Sequence, residues 1–312
     1  MDIAILNLCK YARFGDRYLH ILGFYIICKY LNLRPNISTF FTNTDINWSY
    51  YDKNLYKFSD DFILTNTNDT KYLFTIPYAP IKVYDFLINN NINVSFEQIS
   101  NDYIHYGKEI IKPSQIIIDK IPDGLNDVYG IHLRKSDKIV YNPTRFYSEA
   151  PTEPEFQIIM EDLLKDVMNI INTEINPKFL IVSEDNDWKM HISQKILNYA
   201  NENNKKIELV NLDYTNENNY INYESILDFF CLSKCKEILM GNKSTGFSYA
   251  PSIIGGKNKI RTYCNNIENT KKIYYNSMSS IIKFNNENFN YDINYHREVL
   301  EPFTNVDVYL LK

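Results

Sequence analysis

The residues of this chain best suited to chemistry lie at 129–138, in the sequence Tyr-Gly-Ile-His-Leu-Arg-Lys-Ser-Asp-Lys. A short apolar strand is predicted at 128–133, and it leads directly into a cluster of polar side chains: His132, Arg134, Lys135, Asp137 and Lys138. Because side chains alternate along a strand, His132 and Arg134 are predicted to share one face. We expect the opposite face to pack in the core and this face to be available for a site.

An arginine at the end of a strand suits a diphosphate, because the planar guanidinium can bind two phosphate oxygens. The neighbouring Lys135 adds a compact second positive charge. The alternative interpretation is an ion pair between Arg134 and Asp137 across a tight turn, without a ligand. Taken alone, these residues leave both interpretations open.

Two further segments have the pattern of phosphate-binding turns. Residues 13–17, Arg-Phe-Gly-Asp-Arg, precede a predicted helix, whose backbone N–H groups and dipole favour an anion. The segment 223–228, Tyr-Glu-Ser-Ile-Leu-Asp on a predicted helix, is a further candidate part of the same site. It is followed by Ser244 and Thr245, which begin another predicted helix and have hydroxyl groups that can bind a phosphate. Asp16, Ser244 and Thr245 are equally suited to cap their helices, so these signals are weak in isolation.

The composition is that of an ordinary globular protein, with 312 residues, 45% hydrophobic and 23% charged. A net charge of −5 without a basic stripe argues against nucleic acid as a partner. The spacing of the five cysteines predicts no four-ligand zinc site and is typical of reduced thiols in a cytoplasm-like compartment. No apolar run reaches the ~20 residues of a membrane span, and no signal peptide is recognisable, so we expect a soluble protein.

Strands and helices alternate after the Pro-Asp-Gly turn at 122–124. The predicted strands are at 128–133, 179–182, 207–210, 237–240 and 259–263, and the helices between them at 153–171, 188–201, 224–235 and 244–253. This order predicts a parallel sheet covered on both faces.

The first part of the chain is less regular. It begins with a predicted strand at 2–8 and a helix at 16–31, and continues with short apolar pieces. We therefore expect an N-terminal α/β domain at 1–122, a Rossmann-like domain at 123–270 and a C-terminal segment at 271–312 that packs back on them. Ligands of open α/β sheets bind at the carboxyl ends of the strands, which would here face a crevice between two domains.

Together these segments resemble the fucosyltransferase superfamily, which includes core α-1,6-fucosyltransferases, nodulation-factor fucosyltransferases and protein O-fucosyltransferases. Residues 130–138 are similar to that family's Gly-Val-His-Val-Arg-Arg-Thr-Asp-Lys, and 227–235 to its Leu-Asp-x-x-x-Leu-Ser segment. Lys-Ser-Thr at 243–245 falls where the family has its phosphate-side motif, and Phe-Gly-Asp-Arg at 14–17 is similar to its Gly-x-Gly-Asn-Arg turn. The resemblance covers roughly half of the chain and implies a GT-B-like α/β fold, with two Rossmann-like domains facing each other across a crevice. By this resemblance, the domain at 123–270 would bind the nucleotide-sugar and the domain at 1–122 would form the acceptor side.

The resemblance also implies the roles of individual residues. Arg134 would hold the β-phosphate of a GDP-sugar, and His132 and Asp228 would contact guanosine. The remaining donor contacts would come from Gly15, Asp16, Arg17, Lys135, Ser244 and Thr245, and Arg134, Asp137 and Lys138 would serve catalysis. The implied enzyme is an inverting transferase that moves L-fucose from GDP-fucose to a glycan or glycoprotein and uses neither a metal nor another cofactor.

The general base remains unassigned. The core fucosyltransferases have a glutamate shortly after the Asp-Lys pair, where this chain has Asn142, and Lys135 replaces the family's second arginine. The candidates for the base are Asp137, Glu149, Glu184 and Asp185.

Two alternatives follow from these departures. The protein could use another nucleotide-linked deoxyhexose, or it could be an inactive homologue that binds GDP or glycans. Asp228 discriminates between donors, since a carboxylate pairs with the N1–H and N2–H₂ groups of guanine but offers less to uracil or thymine. The acceptor, the linkage and the oligomeric state are not readable from the sequence.

Overall fold

The computed structural model describes residues 1–7, 14–38, 54–65, 67, 69–75, 80–134, 153–241, 246–256, 260–263 and 307–310. The strands in these ranges are β1 (Ile3–Leu6), β2 (Arg34–Asn36), β3 (Tyr56–Phe58), β4 (Thr70–Thr75), β5 (Ile111–Pro113), β6 (Val128–Leu133), β7 (Lys178–Ser183), β8 (Glu208–Val210), β9 (Glu237–Gly241), β10 (Ile260–Thr262) and β11 (Asp307–Leu310). The helices are α1 (Phe14–Tyr30), α2 (Pro80–Asn89), α3 (Phe96–Gly107), α4 (Gln115–Ile118), α5 (Glu153–Thr173), α6 (Asn186–Glu202), α7 (Tyr223–Lys234) and α8 (Gly246–Ile254).

The second half of the chain forms a five-stranded parallel sheet in the order β10-β9-β6-β7-β8. Numbered along the chain from β6, this order is 5-4-1-2-3, which is the doubly wound arrangement of Rossmann-like folds. The strand order reverses between β6 and β9. Ligands of such sheets bind outside the carboxyl ends of the strands at this point, and Arg134 directly follows β6.

The prediction that β6 has one core face and one site face is wrong. All six of its residues are buried, and His132 is only 5% exposed. The reason is its central position, because an inner strand of a parallel sheet is covered on both faces. Only the end of the strand is left to form a site.

The first half of the chain forms a mixed sheet in the order β11-β4-β1-β2. Strands β1, β2 and β4 are parallel, while β11, from near the C-terminus, pairs antiparallel with β4. Residues Asp307–Leu310, which belong to the predicted C-terminal segment, therefore complete this sheet. A separate antiparallel pair joins β3 and β5.

Helix α1 connects the two halves through its packing. Nearly all of its residues are buried, as expected for a helix that is apolar on every side. Its first turn contacts the first turn of α8, where a Cβ added to Gly15 would lie 2.4 Å from the backbone carbon of Gly246. The two glycines therefore allow both helix N-termini to meet at one place.

None of the helices that the structure describes combines the length and the apolar composition needed to cross a membrane.

Candidate functional site

A cleft lies at the carboxyl ends of β6 and β7. The ends of β6 and β7 contribute His132, Val182 and Ser183, and Arg134 and Glu184 directly follow these strands. The helices contribute Gly15, Asp16, Glu224, Ser225, Asp228 and Phe247. The cleft therefore combines residues from both halves of the chain, at the position where doubly wound sheets bind their ligands.

Three helices present their first turns to this cleft. Gly15 and Asp16 belong to the first turn of α1, Glu224 and Ser225 to that of α7, and Phe247 to that of α8. The N-terminus of a helix carries partial positive charge and unpaired N–H groups, both of which favour an anion. Their convergence makes this end of the cleft suited to phosphate.

Arg134 brings a fixed positive charge to the same place. It is only 8% exposed, and its Nε lies 3.8 Å from Oε1 of Glu184, whose side chain is 33% exposed. Burial of a guanidinium is costly unless an opposite charge or hydrogen bonds compensate it. Arg134 is thus held by its surroundings and would not have to reorganise to meet an anion.

His132 is neutral in this site. Its Nδ1 lies 2.7 Å from Oγ of Ser248, and its ring packs against Phe247 with centroids 5.1 Å apart. Burial, and then the nearby charge of Arg134, lower the pKa of His132 to about 3. At neutral pH the imidazole can exchange hydrogen bonds with a ligand, but it is a poor proton acceptor.

Asp228 is the most unusual acid of the cleft. It is 8% exposed, and one carboxylate oxygen accepts a hydrogen bond of 2.6 Å from the hydroxyl of Tyr214. Burial raises the pKa of Asp228 to about 7, although the Tyr214 hydrogen bond and the charge of Lys189 act in the opposite direction. The carboxyl group therefore changes its charge near neutral pH, a property that is common in functional sites.

The described lining of the cleft contains one cationic side chain, Arg134, and four acids: Asp16, Glu184, Glu224 and Asp228. An acidic cleft repels a diphosphate except where Arg134 and the helix N-termini compensate. The carboxylates are also good acceptors for the hydroxyl and N–H groups of a sugar or a base. Arg134 and the helix N-termini are thus the features of the cleft that favour an anion, and the carboxylates are those that favour hydrogen-bond donors.

Two of the predicted site residues are not part of the cleft lining. Arg17 is fully buried within α1, next to the predicted contacts Gly15 and Asp16. Asp185 caps α6, where its Oδ1 accepts a hydrogen bond of 3.0 Å from the backbone N–H of Trp188. Its neighbour Glu184, by contrast, lines the cleft.

The remaining predicted site residues lie outside the described residues, so their roles stay predictions. They are Lys135, Asp137, Lys138, Glu149, Ser244 and Thr245.

Glu224 and Ser225 belong to the segment 223–228 that was a candidate part of the site, although neither residue was given a role of its own. Other residues of the site were not predicted from the sequence. Ser248 lies 116 positions from its partner His132, and no sequence pattern connects the two. The same holds for Tyr214, which lies in the segment between β8 and α7.

In the described part of the chain, no three His, Cys, Asp or Glu side chains are grouped in a way that could hold a metal ion. No family model matches the sequence, and a search of curated proteins gives no significant match.

Solved structures, in contrast, share the fold. An arginine-to-lysine mutant of Arabidopsis thaliana FUT1 in complex with GDP superposes with a TM-score of 0.50 and 9% identity, over 81% of this chain and 68% of that chain. The fold is fucosyltransferase-like. This confirms the predicted α/β fold with two Rossmann-like halves of the GT-B type, and at this identity the likeness concerns the fold alone.

Two structures of NodZ α-1,6-fucosyltransferase also match, one soaked with GDP-fucose and one co-crystallised with GDP. They share 9% and 10% identity with this chain and cover 81% and 80% of it, corresponding to 93% and 92% of their own length. Both TM-scores are 0.39, too low to add to the argument.

Proposed function

We propose that this protein is an inverting glycosyltransferase that transfers L-fucose from GDP-fucose to a hydroxyl group of a glycan or glycoprotein. The observation that carries the proposal is that one cleft contains a buried arginine, a buried aspartate and three helix N-termini. The fucosyltransferase-like fold supports it, since the FUT1 structure with a TM-score of 0.50 contains GDP.

The diphosphate of the donor would bind at Arg134 and the first turns of the neighbouring helices. As the bond between the sugar and the diphosphate breaks, negative charge develops on the leaving phosphate. Fixed cations and oriented N–H groups stabilise such charge without reorganising. We therefore expect transfer to proceed without a divalent cation.

The guanine base would be recognised by Asp228. An ionised carboxylate has two oxygens that can accept hydrogen bonds from N1–H and N2–H₂ of guanine, whereas uracil and thymine offer one N–H donor. The neutral His132 would contact the nucleoside next to it. This division of roles accounts for the placement of the two residues in the same cleft.

Inversion requires a base that takes the proton of the acceptor hydroxyl while its oxygen attacks the anomeric carbon from the side opposite the leaving GDP. Among the candidate bases, Glu184 is the one in the described part of the chain that lines the cleft. Asp185, the neighbouring candidate, is engaged in capping α6. We therefore assign the role of base to Glu184 within this proposal.

A panel of nucleotides tests the donor class. GDP, UDP, dTDP and ADP are each added at about a hundred times the expected dissociation constant, where binding stabilises a protein by ~2.7 kcal/mol and raises its melting temperature by about 5 °C. We expect this shift for GDP alone. A larger shift with UDP or dTDP would transfer the proposal to another nucleotide-sugar, and no shift with any nucleotide would refute it.

Turnover distinguishes an enzyme from a binding protein with the same cleft. GDP-fucose is incubated with a panel of glycan and glycoprotein acceptors, and released GDP is measured together with the anomeric configuration of the product. We expect GDP release and an α-linked product from the β-linked donor. Binding of GDP without release in the presence of any acceptor would support an inactive homologue instead.

A further inference from the structure

We infer that Tyr214 is a positioning residue for guanine recognition: its hydroxyl fixes the direction of the buried Asp228 carboxylate and favours the ionised form that accepts hydrogen bonds from the base. The inference rests on the proposed function, because it assumes that Asp228 receives guanine. Tyr214 lies behind the cleft, and we infer that it controls both the direction and the charge of the Asp228 carboxylate.

The contacts of Tyr214 place it behind the cleft and not in its lining. Its hydroxyl donates a hydrogen bond of 2.6 Å to Oδ1 of Asp228, and Asp228 itself lines the cleft. The ammonium group of Lys189, on α6, lies 5.3 Å from the centre of the Tyr214 ring. The phenol thus connects a buried carboxylate with a cation at the surface of the neighbouring helix.

The segment that carries Tyr214 is held by its own hydrogen bonds. Asp213 forms an ion pair with Lys120 and accepts hydrogen bonds from the backbone N–H and the hydroxyl of Thr215, at 3.0 and 2.6 Å. A few residues later, Asn216 and Tyr220 are joined by two hydrogen bonds of 2.9 Å. Tyr214 is therefore oriented before any ligand arrives, as recognition groups in preorganised sites are.

The groups that face Asp228 decide its charge. Glu224 and Cys231 belong to its own helix, Tyr214 and Lys189 approach from the β8–α7 segment and from α6, and Asp16, His132, Arg134 and Glu184 line the same cleft. Glu224 raises the pKa of Asp228 further, whereas Tyr214 and Lys189 lower it against the larger effect of burial. Loss of either Tyr214 or Lys189 therefore leaves the carboxyl group more protonated.

Guanine binding requires the ionised form. A carboxylate accepts hydrogen bonds from both N1–H and N2–H₂, but a protonated carboxyl presents an O–H donor to one of these donors. With a pKa of about 7, about half of the free protein is competent at pH 7. Donor binding would thus release the proton of Asp228.

The test is the dissociation constant of GDP and of inosine diphosphate, measured by titration calorimetry between pH 5.5 and 8.5. Inosine diphosphate keeps the N1–H group and the diphosphate but lacks the 2-amino group. For the wild-type protein we expect GDP to bind about tenfold more weakly at pH 6 than at pH 8, because the competent fraction changes by that factor. We also expect the ratio of the two dissociation constants, for inosine diphosphate and for GDP, to decrease at low pH.

Tyr214→Phe removes only the hydroxyl. We expect it to move the midpoint of the GDP binding profile upward by about one pH unit, which weakens binding about fivefold at pH 7. The matched control is Tyr30→Phe, which removes a similar hydrogen bond of 2.7 Å to Asp102 in the first half of the chain. Tyr30→Phe should leave the GDP binding profile unchanged. The diphosphate of GDP also titrates, but this contribution cancels when a variant is compared with the wild-type protein, because both bind the same ligand.

Lys189→Gln is a second variant, on the surface of α6, and keeps the test valid if Tyr214→Phe does not fold. It should shift the midpoint in the same direction by a smaller amount. Profiles of the folded variants that superimpose on the wild-type profile would overturn the inference while leaving the proposed function intact. Failure of the wild-type protein to bind GDP at any pH would instead refute both.

Discussion

Asp228→Asn should change how the stability of this protein depends on pH. Burial raises the pKa of Asp228 from 3.8 to about 7, so the folded state binds this proton more tightly than the unfolded chain. A group of this kind contributes stability that is fully present below the unfolded pKa. That contribution is lost as the pH rises through the folded pKa.

The size of the effect follows from the same shift. A difference of about three pH units between the two states corresponds to about 4 kcal/mol, at 1.36 kcal/mol per unit. Asparagine has almost the same shape, carries no charge and has an oxygen that can accept the Tyr214 hydrogen bond. The free energy of unfolding of the variant minus that of the wild-type protein should therefore increase by about 4 kcal/mol between pH 4 and pH 8.

The assay is urea unfolding followed by circular dichroism at each pH, for both proteins. His132 titrates in the opposite sense, since its lowered pKa reduces stability as the pH falls below the ordinary histidine value, but it is present in both proteins and cancels in the difference. A difference in unfolding free energy that does not change with pH would refute the reasoning. It would mean that Asp228 is not desolvated in the way that the structure shows.

The other predictions concern the base, the interface between α1 and α8, and the cation requirement. Glu184→Gln should lower kcat for fucose transfer by about 10²-fold or more. Asp185→Ala should retain turnover and lose about 1 kcal/mol of stability, because it removes a helix cap. An equal loss of turnover in both variants would contradict the assignment of Glu184 as the base. Gly15→Ala should lower the free energy of unfolding in urea by about 2 kcal/mol or more, since the new Cβ would lie 2.4 Å from the backbone of Gly246. The control Gly124→Ala places its Cβ where no atom lies within 4 Å, so it should cost only the strain of a φ of +76°, about 1 kcal/mol. Chelation with EDTA should leave the transfer rate unchanged, and restoration of a lost rate by added Mg²⁺ or Mn²⁺ would contradict the proposed diphosphate stabilisation.

The second half of the fold was predictable because its signals are local. Each predicted strand and helix between 128 and 263 overlaps the corresponding element, including β6, whose predicted range of 128–133 is the observed one. Apolar spacing and turn residues define such elements without reference to distant contacts. Residues 34–121 contain Asn-rich connections and short apolar pieces, so α2 and α3 were not recognised there.

The candidate site was predictable only at its strand and helix ends. Arg134 and Asp228 stood in recognisable segments, and the structure places both in one cleft. The contacts that tune them are tertiary. Ser248 reaches His132 from a helix packed across the sheet, and Tyr214 reaches Asp228 from the loop before α7, so neither contact leaves a local pattern.

The most direct test of the central claim is calorimetric titration of GDP into the wild-type protein, Arg134→Ala and the control Arg34→Ala. Arg34 is exposed at the start of β2, at the edge of the first sheet opposite its carboxyl ends. We expect one GDP site in the wild-type protein and in Arg34→Ala, and a loss of about 100-fold or more in affinity for Arg134→Ala, because a charged hydrogen-bonding partner of the diphosphate is removed. GDP binding that is equally tight in a folded Arg134→Ala variant would contradict the account.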